Sequence, residues 1–397
     1  MATGLIKKNS VIGIEEEVTE GTYLAPTAAT SYMQPLEDGF SISPARELLD
    51  RAILNASPGK PTPRLGIKSV TAELPVEYRA SGIEGGAPDF DSLLKSALGA
   101  VRSATTSTSK TGNSATQIEI EDADISKYAV GDIVLVKEAG AWEMRPISAV
   151  DPSGGAANIQ FPFALENGAP SDNVVIGAFR TYLTAATGHV PLSLSYYWAD
   201  EIRQALSGGK VTSMSIDNFT TGQIGSFNFS VEGLSYEDEV DGSAGFTPVY
   251  DSALPPILLK ACVYYDGVVK EVNTVSLSLS NTLGFITDLC SPNGRVSSRV
   301  TDREITGSIN PYKDDTTTEF FDDWDQGTEF SLFVSAFNPS AVAGEFDPGS
   351  IVSLWLPQCI NTEFNTEDLE GILVDALTFR ATRGANGDQE ELYIGMI

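Results

Sequence analysis

The sequence has few of the residues that do chemistry. Its 397 residues include one histidine, His189, and three cysteines, Cys262, Cys290 and Cys359. Three scattered thiols build neither a disulfide framework nor a zinc site, and they read as buried or neutral. A lone histidine beside a strand reads as structural or solvated. No nucleophile elbow or zinc-protease helix is present. Gly82-Ile83-Glu84-Gly85-Gly86 is glycine-rich, but no lysine follows at P-loop spacing, so it reads as a turn. No run approaches the roughly 18–20 apolar residues of a membrane helix. The opening Met1–Lys8 carries two lysines with no apolar stretch behind them. No signal peptide is therefore expected, and folding in a cytoplasm is.

Basic residues are also scarce. There are 25 against 54 acidic ones, and 25 − 54 = −29. Gripping nucleic acid needs clustered Lys and Arg, so the balance argues against a surface that grips nucleic acid. A surface that DNA must pass without sticking is not excluded, and solubility alone also accounts for the charge. Glu237-Asp238-Glu239-Val240-Asp241 lacks the spacing of a calcium loop and reads as a solvated acidic turn. Asp314-Asp315 and Asp322-Asp323 read as exposed charges at helix ends. No catalytic residue, metal or cofactor is expected.

Alternating runs dominate what is present. Hydrophobic content of 42% and charged content of 20% are ordinary for a soluble globular chain. Val70, Ala72, Leu74, Val76 and Tyr78 share one face, with Thr71, Glu73, Glu77 and Arg79 on the other. Val275, Leu277 and Leu279 alternate with Ser276, Ser278 and Ser280, and Phe227, Phe229 and Val231 with Asn228, Ser230 and Glu232. Such alternation predicts antiparallel sheets covered on one side, in a mainly β protein. Two short helices punctuate it. In the first, Asp89 or Asp91 can cap, Leu93, Leu94, Ala97 and Leu98 form the stripe, and Gly99 is the stop. In the second, Asp315 or Thr316 can cap, Phe320, Phe321 and Trp324 form the stripe, and Gly327 ends it. Ser43–Asp50 looks helical in isolation but is set aside, because its counterpart is loop-like.

That counterpart exists because one unit occurs twice. Phe40–Ser43 is answered by Leu277–Asn281, and Ile67–Tyr78 by Glu304–Asn310. The helices correspond, Ala178–Thr184 is answered by Glu329–Ser335, and Phe227–Phe229 by Leu377–Phe379. Identity is slight, but the order agrees, which points to a symmetric assembly. The expected division is an N-terminal arm over 1–35 and a first unit over 36–100 plus 178–245. A linker and first strand region at 246–269 leads to a second unit over 270–397. An inserted small β-barrel over 101–177 opens with a Ser/Thr-rich linker and lies on the outer surface. The arm lacks core-strand alternation and is expected to order against a neighbour.

Several segments resemble the tail tube (major tail) proteins of long, non-contractile-tailed bacteriophages. They are Glu16–Pro26, Leu36–Glu47, Gly66–Thr71, Lys210–Asp217 and Phe229–Tyr236. The resemblance covers most of the first unit and thins in the second. It implies duplicated β-sandwich or barrel units, each with one helix, that self-assemble into stacked rings of a DNA-conducting tube. It implies a non-enzymatic virion protein that meets tape measure and tail terminator or tip proteins and touches no membrane. Single-copy members form sixfold rings, so two copies per chain favour three subunits in a pseudo-sixfold ring over a hexamer. The candidate bore-lining residues are Glu73, Glu77, Ser213, Ser215, Asp217, Ser276, Ser278 and Ser280. A solvated sheet face accounts for the same residues. A β-rich adhesin or receptor-binding module of a virion is the alternative reading.

Overall fold

The computed structural model describes residues 7–54, 59–152, 157–199, 202–217, 219–240, 244–245, 247–259, 261–291, 293–313, 318–384 and 390–397. Strands β1 (Val11–Glu16) and β2 (Tyr32–Met33) precede the long hairpin of β3 (Ser41–Leu49) and β4 (Arg64–Glu77). Helix α1 (Asp91–Leu98) and β5 (Gly99–Ala104) follow. Short strands β6 (Ser107–Thr108), β7 (Gln117–Glu119), β8 (Ile133–Glu138), β9 (Ala141–Pro146), β10 (Ala149–Asp151), β11 (Asn158–Gln160) and β12 (Val175–Ile176) lead to β13 (Phe179–Thr184). β14 (Leu192–Trp198), β15 (Ile202–Asp217), β16 (Ser226–Gly233) and β17 (Ser235–Val240) complete the first half. The second half runs β18 (Cys262–Tyr265), β19 (Val268–Lys270), β20 (Val272–Thr287) and β21 (Arg295–Pro311). It ends with α2 (Glu319–Gln326), β22 (Glu329–Ala336), β23 (Val352–Leu369), β24 (Ile372–Ala381) and β25 (Tyr393–Met396).

The fold is mainly β and layered. One layer runs in the order β3–β4–β16–β15–β20–β21–β24–β23, entirely antiparallel. Its apolar side, including Leu74, Phe229, Met214, Leu279, Ile305 and Leu377, is buried in the main core. The long strands β15 and β23 leave this layer at their N-terminal halves. There β15 pairs with β14 and β17, and β23 with β22 and β25, forming a second layer across the core. Alternation is what makes this possible, since each strand offers one apolar face to the space between the layers. Side chains on the far side of the second layer, Tyr264, Phe333, Trp355 and Tyr393, join a separate core with Ile133, Leu135 and Phe161 of the inserted region.

That region holds a four-stranded sheet, β6–β12–β8–β9, and a three-stranded sheet, β10–β11–β7. The expected closed barrel is replaced by two open sheets. Their short strands share a core with the second layer instead of sealing against each other. The arm also departs from expectation. Val11–Glu16 pairs along its length with β14 and buries Ile12 and Ile14. The Glu15-Glu16-Glu17 run, which starts within the strand, hid it. The carboxylate of Glu17 is itself buried, accepting from Gly21 N–H (2.7 Å), Gly208 N–H (2.8 Å) and Ser193 Oγ (2.7 Å). The Ser43–Asp50 stretch, set aside as a helix, is strand from Ser43 to Leu49, within β3.

The two halves repeat a pairing pattern, with a changed correspondence. β14 pairs with β15 through a register shift at Leu192/Leu194, and β22 pairs with β23 through the same shift at Phe330/Leu332. β1 lies beside β14 as β18 lies beside β22. The counterpart of Glu329–Ala336 is therefore β14, and not the expected Ala178–Thr184 stretch. β13 pairs with β5 and β25.

Both helices stop where expected, on Gly99 (φ 98°) and Gly327 (φ 65°), left-handed positions that favour glycine. Neither start is capped by Asp89 or Asp91. Phe90 occupies the first N-cap without a side-chain bond. Asp91 instead accepts from Arg180 Nη2 (2.6 Å) and Lys95 Nζ (2.7 Å), and Asp89 from Arg79 Nη2 (2.7 Å). Ion pairs with guanidinium and ammonium groups hold these carboxylates instead. Asp314, Asp315 and Thr316 lie outside the described residues, and Thr318 holds the second N-cap position. The α1 stripe is wholly buried, whereas Phe321 (43% exposed) and Trp324 (38%) of α2 stay partly open beside Phe364.

Arg79 is 2% exposed and ties Asp89 to the connector between the halves, where Asp89 N–H donates to Asp251 Oδ2 (2.7 Å). Burial pushes the Asp89 carboxyl up to about 6, against the pull of Arg79. A value raised above the ordinary 3.8 favours the fold below about pH 4. That contribution is lost as pH rises through about 6. Arg79→Leu is expected to cost about 3–5 kcal/mol at pH 7, because it strands a buried carboxylate. The loss should shrink toward pH 4, as denaturant titrations at both pH values would register.

Candidate assembly surface

The eight candidate residues come together on one face of one layer. Ser213 faces Ser280, and Ser215 faces Ser278, across the junction of β15 and β20. Ser213 also faces Ser230, which faces Glu73. Asp217 faces Ser226, which faces Glu77. Ser276 faces Ser308, their hydroxyls 2.7 Å apart. Directly opposed residues share a face, so these chains of partners define a single polar surface. The same register adds residues that alternation along one strand did not single out. Glu304 faces Ser280, Thr306 faces Ser278, Thr378 faces Ser308, and Glu363 faces Thr378. The available signal was the alternation of Thr306 and Ser308 with Ile305 and Ile309, which has meaning only once pairing is known.

This face is weakly acidic and poor in cations. Glu73, Asp217, Ser276, Ser278, Ser280, Glu304 and Glu363 are exposed, while Glu77, Ser213 and Ser215 are half-buried. Ser230 Oγ donates to Glu73 Oε2 (2.5 Å). Arg380 lies on the face, 3.7 Å from Glu304. The cations of β4 lie elsewhere: Arg64 and Lys68 have the strand parity of Val70, opposite to Glu73. Arg79, just past the strand, is buried with Asp89.

The layer has two open ends. Among the described residues β3 pairs with β4 alone, and the Asn361–Leu369 half of β23 pairs with β24 alone. Inside the chain the matching positions are closed by the β15–β20 ladder. Asn281 secures that closure: its buried Nδ2 donates to Ala97 O at the end of α1 (2.9 Å) and to Val211 O of β15 (3.2 Å). Lys210 Nζ adds bonds to Ser298 O (2.7 Å) and Glu20 (2.9 Å), and Glu20 accepts from Ser298 N–H (2.6 Å).

The lone histidine and the acidic cluster are held by local contacts. His189 bonds Ser96 O (2.8 Å) and Ala185 O (3.2 Å), and burial lowers its pKa. Arg203 Nη2 sits 2.6 Å from Glu239 and 3.8 Å from Glu237 on β17, while Asp241 lies outside the described residues. Cys359 is buried, Cys262 half-buried and Cys290 exposed, all as free thiols. Among the described residues no group of three or more His, Cys, Asp or Glu side chains could hold a metal ion.

The layer thus combines a polar face with, among the described residues, two open ends. The family described as "Phage tail tube protein" matches residues 7–380. The chain belongs to the phage tail tube family. It is a structural component of a virion tail, and self-assembly into a tube follows from that membership. A search of curated proteins gives no match.

The internal junction has a measurable worth. Asn281→Ala leaves Ala97 O and Val211 O without that donor and is expected to cost about 1–3 kcal/mol. Thermal unfolding of the unassembled chain would register the loss.

Proposed function

We propose that three copies form a pseudo-sixfold ring, that rings stack into the tail tube, and that the polar sheet face lines its bore. The observation that carries this reading is the continuous layer β3–β4–β16–β15–β20–β21–β24–β23, with one open edge at each end. Each half contributes an equivalent set of strands, so one chain does the work of two single-copy subunits. A head-to-tail ring pairs the open end of each copy with the opposite end of the next and leaves no edge exposed. Closing a layer into a barrel also forces one face inward. The apolar face is already buried under the helices and second layer, so the polar face is the one available to the bore.

Its composition suits passage of DNA. Glu73, Glu77, Asp217, Glu304 and Glu363 present carboxylates along a wall rich in serine and threonine, and the cation Arg380 on it sits 3.7 Å from Glu304. At physiological salt a wall charge is felt over only about 8 Å, so the lining repels a duplex close by and offers few anchors. The inserted region packs on the opposite side of the second layer, which supports an outer position for it. The reading includes ejection of DNA through a siphovirus-type tail, assembly in the host cytoplasm, and contact with tape measure and terminator or tip proteins at the tube's core and ends.

Two measurements test this. Three chains of 42.3 kDa give about 127 kDa per ring and six give about 254 kDa, a difference that mass measurement and cryo-EM projections of assembled material resolve. A ring of six chains, or a strictly monomeric protein, overturns the stoichiometry. Replacing both Ser215 and Ser278 by Arg is expected to leave tubes intact while slowing genome release, most strongly at low salt. Unchanged release from such tails would remove the bore assignment.

A further inference from the structure

The contact inside one chain specifies the strand register between chains, if the ring reading above holds. β15 and β23 carry the same register shift against their partners, at Val211/Ser213 and Asn361/Glu363. The threonine at each shift donates its hydroxyl across the ladder, Thr212 to Ser230 O and Thr362 to Thr378 O, at 3.1 Å in both. These landmarks superpose Ser213–Ile216 on Glu363–Thr366. On the other side, Leu74 faces Phe229 as Ile309 faces Leu377, and Ser41 faces Glu73 as Ser276 faces Ser308. Ile42, Ser43, Pro44 and Ala45 therefore occupy the places of Leu277, Ser278, Leu279 and Ser280.

Within the chain Ser213 faces Ser280, Met214 Leu279, Ser215 Ser278, and Ile216 Leu277. We propose that neighbouring copies pair in the same register. Glu363 then faces Ala45 of the next copy, Phe364 faces Pro44, Asn365 faces Ser43, and Thr366 faces Ile42.

Burial supports the assignment. Met214, Ile216, Leu277 and Leu279 are buried at the internal junction, whereas Phe364 and Ile42 are half-exposed and Thr366 and Pro44 exposed at the free edges. Charge supports it too. Asn281, which reaches the end of α1, corresponds to the exposed Arg46. Ala97 lies two residues before Gly99, as the exposed Asp325 lies two before Gly327. Arg46 thus arrives at an acidic helix C-terminus, where a guanidinium is favoured. Arg51 and Arg64 of the same hairpin are exposed, as are Asp322, Glu363 and Glu367 opposite.

Backbone polarity fits as well. Leu36 N–H donates to Pro75 O (2.8 Å), which turns the odd-numbered residues of β4 toward the β3 side. Ser41 and Ser43, facing Glu73 and Thr71, therefore point their backbone groups inward, and Ile42 and Pro44 point theirs at the open edge. Ile42 can exchange both bonds with Thr366, while Pro44 can only accept from Phe364. A proline there discourages unspecific edge pairing. Ser43 and Asn365 become a pair without mutual backbone bonds, with Cα atoms about 4.5 Å apart. That spacing suits a disulfide.

The test uses the full chain with exposed Cys290 replaced by Ser. Tubes of S43C/N365C, oxidised and run on non-reducing gels, are expected to give an intermolecular ladder ending at the closed ring. S43C/E363C and S43C/E367C displace one sulfur by two residues, about 7 Å along the strand, and should crosslink roughly tenfold less. Stronger crosslinking in a displaced pair, or none in tubes visible by electron microscopy, overturns the register and leaves the tube reading standing. Chains that never form rings or tubes overturn the tube reading and the register with it.

Discussion

A strand edge carries a row of backbone donors and acceptors that must be satisfied, and the whole organisation of this protein turns on that requirement. The main layer could not end where the first half ends, because β15 would be left open. The second half closes it, with Met214 and Ile216 meeting Leu279 and Leu277. Among the described residues the same closure does not occur at β3 or at the far half of β23. One molecule therefore contains a completed joint and the two separated sides of another. Asn281, Lys210 and Glu20 show what completion involves beyond the ladder itself, since each bridges elements of different halves.

The second constraint is that β15 and β23 serve two layers at once. A strand long enough to do so must change partners partway. The register shifts at Val211/Ser213 and Asn361/Glu363 sit near that change, as bulges do where strands bend or switch sheets. The layers then enclose one apolar core, with α1 sealed against it and α2 less so. Phe321, Trp324 and Phe364 form an aromatic cluster at the open end, beside the β23 edge. In the proposed ring this incompletely covered end and the free edge are parts of one surface.

Parts of this were legible in the sequence for a clear reason. A half-buried strand writes its orientation as alternation, so Val70–Tyr78, Val275–Ser280 and Phe227–Glu232 announced both their type and their faces. The glycine stops of the two helices were equally plain. The cap aspartates were not, because Asp89 and Asp91 are claimed by Arg79 and Arg180, which are distant in sequence or in structure type. β1 was missed because it ends in a run of three glutamates, the last of which, just past the strand, is buried among backbone donors. The inserted region was visible as extra strands, but its dependence on the second layer for a shared core was not.

The sequence by itself determined the class of protein, the duplication, the absence of recognisable catalytic motifs, and which side chains would share a face along each strand. These follow from local periodicity and composition, which act over a few residues. Only the tertiary structure decided that the candidate residues of separate strands lie side by side, that β14 and not β13 matches β22, and which edges remain open. Register and partner choice depend on contacts between segments far apart in the chain, and no local pattern encodes which distant strand will supply them.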